Sequence, residues 1–359
     1  MKLQSLHELI RFRLVEVQGH LYLVSATTSA AEPAAEEAPD PGEGTRWTTL
    51  SIDLEANTSA RLVDLWREGD LLSDFDLAIL DDGHCLWAVA TNAPGAAVVV
   101  NEVEFASFEE CLPPLAKGPQ IPALPPVTRQ RDLEATELWS APLSPKQWLF
   151  GPRVRPGSEG DWHLSANMAK GELLVLRGPL GGRQEELSLG AQPENWAELD
   201  FAPVGLDPIA IQTSAGLVTA FRKVALERSL FFSLSRYAGP TPDEDPTGNL
   251  AVKLASGETV DVSEATDLGP VRAFDLALAG PGRLVAATLH EQAGQTILSV
   301  VESRDGGAHW SRRAAAGLEG FASMLSLVAY GRDASAAAAY SLTEGDFAVI
   351  ELMEFPGGP

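Results

Sequence analysis

From Asp76 the chain reads Leu77-Ala78-Ile79-Leu80, then a polar turn Asp81-Asp82-Gly83-His84, then Cys85-Leu86-Trp87-Ala88-Val89-Ala90. Two short apolar runs flanking an Asp/Gly turn predict a β-hairpin. The same grammar recurs at Phe12–Val24 around Gly19, Trp162–Leu176 around Gly171, Ile209–Ala220 around Gly216, Phe274–Ala287 around Gly282 and Leu325–Ala336 around Gly331. Successive turn glycines are 64, 88, 45, 66 and 49 residues apart. The shorter intervals match one four-stranded propeller blade, and the interval of 88 leaves room for a further, divergent one. Chain length divided by such a period gives about seven. The pattern therefore predicts an all-β chain, a single β-propeller over residues 1–359 with about seven four-stranded blades, six being the alternative.

Three segments interrupt the alternation. Residues 29–44 (SAAEPAAEEAPDPGEG) are small, acidic and Pro-bearing, the composition of a disordered surface loop. Residues 112–131 contain six prolines and predict an extended connection. Ser59–Glu68 carries Leu62, Val63, Leu65 and Trp66 at helical spacing after a capping residue, so one short helix is expected there.

Charge narrows the choice of partners. Twenty-six Lys+Arg face 50 Asp+Glu, a formal charge of −24. A surface this negative repels polyanions and excludes a general nucleic-acid or anionic-membrane binder. It favours instead a protein partner with a basic patch, held by contacts that weaken with salt. The start, Met1-Lys2-Leu3-Gln4-Ser5-Leu6-His7-Glu8, lacks a basic n-region followed by an apolar run, so cytoplasmic residence in a bacterial-type cell is expected. Cys85 and Cys111 are too few for a stapled framework and have no CxxC partner, so both are read as small buried hydrophobes.

The most specific string is Ser303-Arg304-Asp305-Gly306-Gly307-Ala308-His309-Trp310, which follows an alternating strand. It resembles the Asp-box of BNR-repeat β-propellers, the sialidase-like superfamily, whose pattern is Ser/Thr-x-Asp-x-Gly-x-Thr-Trp/Phe. Ser303, Asp305, Gly307 and Trp310 fit, and His309 stands where Thr is usual. An aspartate there accepts hydrogen bonds from turn N–H groups that no strand satisfies, which makes the box a structural clamp. A degenerate copy is Ser235-Arg236-Tyr237-Ala238-Gly239, keeping Ser235 and Gly239 with Tyr237 in the aspartate position.

The resemblance implies what a catalytic member needs: a Tyr nucleophile with a Glu, an acid, and three arginines gripping a substrate carboxylate. Phe12-Arg13-Leu14-Val15 resembles the Phe/Tyr-Arg-Ile-Pro of such enzymes, with Val15 replacing proline. Tyr340, after the small residues Ser335–Ala339, is the tyrosine expected to face the channel. No HxH, HExxH, GxSxG or phosphate-loop signature occurs, and Asp243–Gly248 is half an EF-hand loop with Pro246 inside it and Leu254 in the bidentate position. No catalytic, metal or cofactor residue is therefore assigned. The expected function is a non-enzymatic interaction subunit that binds a protein partner through its loop face. A sialidase-like glycoside hydrolase using Arg13 and Tyr340 is the runner-up, and a transient assembly factor the third reading.

Overall fold

The computed structural model describes residues 1–28, 44–68, 72–80, 83–91, 97–105, 108, 111, 135–142, 149–157, 161–168, 173–179, 205–223, 247–331, 334–345 and 347–357. After β1 (Lys2–His7) come the strands of the first sheet, β2 (Leu9–Val17), β3 (His20–Thr27), β4 (Gly44–Asp53) and β5 (Thr58–Glu68). The second sheet holds β6 (Leu72–Ile79), β7 (His84–Thr91), β8 (Ala97–Glu104) and β9 (Ala135–Pro142). The third has three described strands, β10 (Leu149–Pro156), β11 (Asp161–Met168) and β12 (Leu173–Pro179). The fourth is β13 (Gly205–Thr213), β14 (Gly216–Lys223), β15 (Asn249–Lys253) and β16 (Thr259–Asp261), followed by the single turn α1 (Val262–Ala265), whose N-cap Asp261 accepts from the Glu264 N–H at 2.9 Å. The fifth contains β17 (Val271–Gly280), β18 (Arg283–Gln292), β19 (Gln295–Ser303) and β20 (Ser311–Gly317). The sixth is β21 (Ala322–Tyr330), β22 (Ser335–Glu344) and β23 (Phe347–Phe355), with β1 as its outermost strand.

Every sheet is an antiparallel meander, and the sixth closes the ring by pairing β1 from the chain's start with β23 from its end. The inner strands β2, β6, β10, β13, β17 and β21 touch in a closed circle around one axis. Apolar cores lie between neighbouring sheets, because each sheet's two faces are covered by the next sheet on either side. Between the first and second sheets Trp47, Phe75 and Trp87 stack with ring centroids 4.9–5.8 Å apart. Equivalent cores join the fourth to the fifth sheet, the fifth to the sixth and the sixth to the first.

The single propeller stands, and the blade count is corrected: five four-stranded sheets and one three-stranded sheet among the described residues, neither seven nor six of four strands. All six expected hairpins form. Five of them join the first and second strands of a sheet, but the one around Gly171 joins β11 to β12, the second and third strands. The turn equivalent to the others is at Gly157, between β10 and β11, whose N–H donates to the Asp161 carbonyl at 2.7 Å. Counted from Gly19 to Gly331, the five intervals average about 62 residues, longer than the blade length assumed from the sequence.

The helix expected at Ser59–Glu68 is also corrected. This segment is β5, paired with β4 along its length. A register shift between Thr49 and Leu50 leaves Leu62 as an extra residue, placing apolar Leu62 and Val63 side by side and imitating helical spacing. Residues 29–43, 112–131, 235–239 with the degenerate box, and 243–246 lie outside the described residues; Gly44 begins β4. Among the described residues no helix is long and apolar enough to cross a membrane.

Candidate functional site

Three inner strands each place two like charges two residues apart, hence on one face: Arg11 and Arg13 on β2, Asp74 and Asp76 on β6, Arg153 and Arg155 on β10. Because these strands are innermost, their charged side chains meet around the axis, where the strands converge. Asp275 on β17 completes the set from across the channel.

Four of these residues form an alternating ring. Arg13 lies 2.7 Å from Asp76 and 2.5 Å from Asp275, while Arg155 lies 2.6 Å from Asp76 and 2.8 Å from Asp275. Asp76 and Asp275 are 0% and 1% exposed, Arg13 and Arg155 3% and 8%. The carboxylates take further hydrogen bonds from the sheet itself. Asp76 accepts from the Val154 N–H and Asp275 from the Leu327 and Leu276 N–H groups, at 2.8–2.9 Å. Burial alone would push both carboxyls up, but Arg13 and Arg155 outweigh it and hold them below the usual carboxylate range. Burial likewise opposes the charge on Arg13, and Asp275 and Asp76 more than restore it. The quartet sets two guanidinium groups against two carboxylates and is neutral in sum.

One tier nearer the N-terminal ends of the inner strands, here the upper end, lie Arg11, Asp74 and Arg153. Asp74 sits 3.7 Å from Arg11 and 3.5 Å from Arg153, and its carboxylate accepts from the Phe75 N–H at 2.8 Å. Two guanidinium groups therefore share one carboxylate at longer range than in the quartet. The Arg11 Nε has no hydrogen-bond acceptor among the described residues. Burial, then repulsion from Arg153, lowers its pKa to about 10 against the pull of Asp74. On the neighbouring blade Asp207, in the left-handed region at φ 54°, pairs with Arg222, and its own backbone N–H donates to Asn167 Oδ1 at 3.0 Å.

Below the quartet the axis opens into a cavity of about 210 Å³. Its walls are mostly apolar, with Val15, Ile79, Ile211, Leu278 and Ala329 beside the one carboxylate of Glu16, and Arg13 and Arg155 form its roof. The quartet therefore plugs the channel between a charged upper end and an apolar lower one.

The residues singled out from sequence are distributed differently. Arg13 does reach the axis, inside the buried quartet. Tyr340 does not face the channel: it lies on β22, one strand outward, in the core between the fifth and sixth sheets, and donates to Glu351 at 3.0 Å. Burial, then the Glu351 carboxylate, pushes its phenol well above the usual range. The alternation that brings a small-residue strand next to the inner one also turns Tyr340 into the sheet-to-sheet core. Ser303, Asp305, Gly307 and Trp310 come together at the corner between β19 and β20, on the lower side. Ser303 Oγ donates to Asp305 and accepts from the Gly307 N–H, both at 2.9 Å. Asp305 accepts the His309 N–H at 2.9 Å, and the Trp310 indole donates to the Gly307 carbonyl at 2.8 Å. The quartet and its upper tier were missed because their signal is not a contiguous motif. It is the string Arg-Phe-Arg, Asp-Phe-Asp and Arg-Val-Arg on three strands some 60 to 80 residues apart.

No protein-family model and no curated protein matches the chain. Solved structures do. The chain is similar to an α-L-arabinanase of Penicillium chrysogenum, with TM-score 0.54 and 9% identity over 99% of this chain and 98% of that one. It is similar to a sialidase of Trypanosoma rangeli, with TM-score 0.52 and 10% identity over 98% of this chain and 55% of that one, so that it spans about half the sialidase. An α-L-arabinofuranosidase from Fusarium graminearum gives TM-score 0.51 and 9% identity over 99% and 98%. The likeness is one of fold. It nonetheless corrects the expectation of a non-enzymatic interaction subunit, since these three structures of the same fold are by name an arabinanase, a sialidase and an arabinofuranosidase. That expectation rested on finding no local catalytic motif, and a propeller assembles its axial site from strands of different blades, where no local motif is required.

Proposed function

We propose that the protein is a sialidase-like glycoside hydrolase whose substrate carries a carboxylate. In this reading the substrate sits at the upper end of the axis, its carboxylate against Arg11 and Arg153, with Asp74 as the acid–base group. One observation carries the proposal. Among the described residues the axial cluster holds four arginines against three aspartates, a surplus of one positive charge inside a protein of formal charge −24. A cation held in a partly dry site without full compensation is stabilised by an incoming anion, and guanidinium matches carboxylate geometry. The fold shared with glycosidases supports the reaction class, since such enzymes work with a carboxyl group beside the scissile bond. The Ser303–Trp310 corner is read as an Asp-box, a brace on the side away from this site.

The test is a panel of fluorogenic glycosides of sialic, glucuronic and galacturonic acids beside neutral arabinofuranosides and xylosides. Release from an acidic glycoside is expected, with kcat/KM falling about 100-fold or more in Asp74→Asn. Arg11→Met is expected to raise KM about tenfold, the loss of one charged contact to the substrate. Turnover of neutral glycosides alone, no turnover of any, or full activity in Asp74→Asn would overturn the proposal.

A further inference from the structure

Cys85 and Cys111 are not merely two buried thiols. Cys85 lies on β7 and Cys111 beyond the end of β8, and both belong to the aromatic core between the first and second sheets. Their Sγ atoms are 2.9 Å apart. That is closer than the ~3.5–4.0 Å at which carbon atoms rest in ordinary packing, and about 1 Å beyond a sulfur–sulfur bond. Cys85 Sγ also lies 3.6 Å from the Val103 carbonyl, and the Cys111 N–H donates to the Phe108 carbonyl at 3.1 Å. The surrounding core, with Trp87, Val103, Phe105 and Phe108, holds both sulfurs in place, and among the described residues no cluster of metal ligands includes them.

We propose that Cys85 and Cys111 are a disulfide site that ties β7 to the segment after β8 when the chain folds under oxidising conditions. The chemistry balances by thiol–disulfide exchange with a small-molecule or carrier disulfide. One thiolate attacks it, releasing one thiol and forming a mixed disulfide; the second cysteine displaces the other half, so two protein thiols lose two protons and two electrons and the oxidant leaves as two thiols. Both sulfurs are almost fully buried, so the exchange belongs to folding, when the aromatic core has not yet closed over them. The bond encloses residues 85–111, a loop that spans two strands of the second sheet and constrains the same pairing the native ladder makes.

The experiment expresses the full chain in the oxidising periplasm and in the reducing cytoplasm of one bacterial host. Each product is denatured in the presence of an alkylating agent and weighed by mass spectrometry. The periplasmic protein is expected to take up no label, to weigh about 2 Da less than the dithiol, and to yield one peptide pair linking Cys85 to Cys111. The cytoplasmic protein takes two labels. Two labels on the periplasmic protein, a glutathione adduct, or a link between two chains would overturn the proposal.

Discussion

The Arg13–Asp76 and Arg155–Asp275 contacts place four full charges in a nearly dry interior, each carboxylate facing two guanidinium groups. Such a group contributes less by its presence than it costs by its partial removal, because a single deletion strands the opposite charge in a dry interior. Asp76→Asn is therefore expected to lower unfolding free energy by about 3–5 kcal/mol, measured by urea denaturation. Arg13→Met added to it is expected to recover part of that loss, since the stranded cation goes too. Little of this was legible beforehand. Arg13 was singled out for its neighbours Phe12 and Leu14, and its acidic partners lie 63 and 262 positions away. A charged residue alternating with apolar ones on a strand reads as a solvated face when only one strand is seen. It becomes an axial residue only once the strand is known to be innermost.

At the scale of elements, hairpins were the readable unit, since an apolar run, a Gly turn and a second apolar run encode local pairing within a dozen residues. The β19–β20 corner was legible for the same reason: its hydrogen bonds all fall between Ser303 and Trp310. Gly307 adopts φ +100°, and a Cβ there would stand 3.1 Å from Leu254 Cδ2, so the turn needs glycine both for its backbone and for its fit against the fourth sheet. Partial burial would raise the Asp305 pKa, but the His309 backbone, the His309 ring and the Ser303 hydroxyl together lower it to about 2. With the folded value below the unfolded one, the stabilisation is complete above about pH 4 and is lost as pH falls toward about 2. Asp305→Ala is expected to cost about 1 kcal/mol at pH 7. The gap between variant and parent should close over that acid window, followed by thermal melts at stepped pH. Bulges were the unreadable part. The extra Leu62 on β5 broke a two-residue period that is otherwise plain.

For the whole molecule, the ring depends on one joint. β1 pairs with β23 from Lys2–Glu351 to His7–Phe347, and the Met1 amino group donates to the Leu352 carbonyl at 2.8 Å. Leu3 and Leu6 pack against the core between the sixth and first sheets. Removing residues 1–7 is expected to cost about 3 kcal/mol from lost apolar burial and pairing, read as a shift in urea midpoint. It should also bare the β23 edge and promote self-association, visible by light scattering. The blade number was hard to read because it is a property of closure. Five first-turn glycines are plain in the sequence, but at the third sheet the glycine read from the sequence falls between β11 and β12, and a single slip of one strand changed the inferred period.

The same joint orders events in time. β23 follows β1 by about 340 residues, so β1 has no strand partner until all the sheets between them have been made. Until that pairing forms, β23 has a bare edge, whereas the axial quartet, drawn from residues 13 to 275, is expected to come together before the circle is latched.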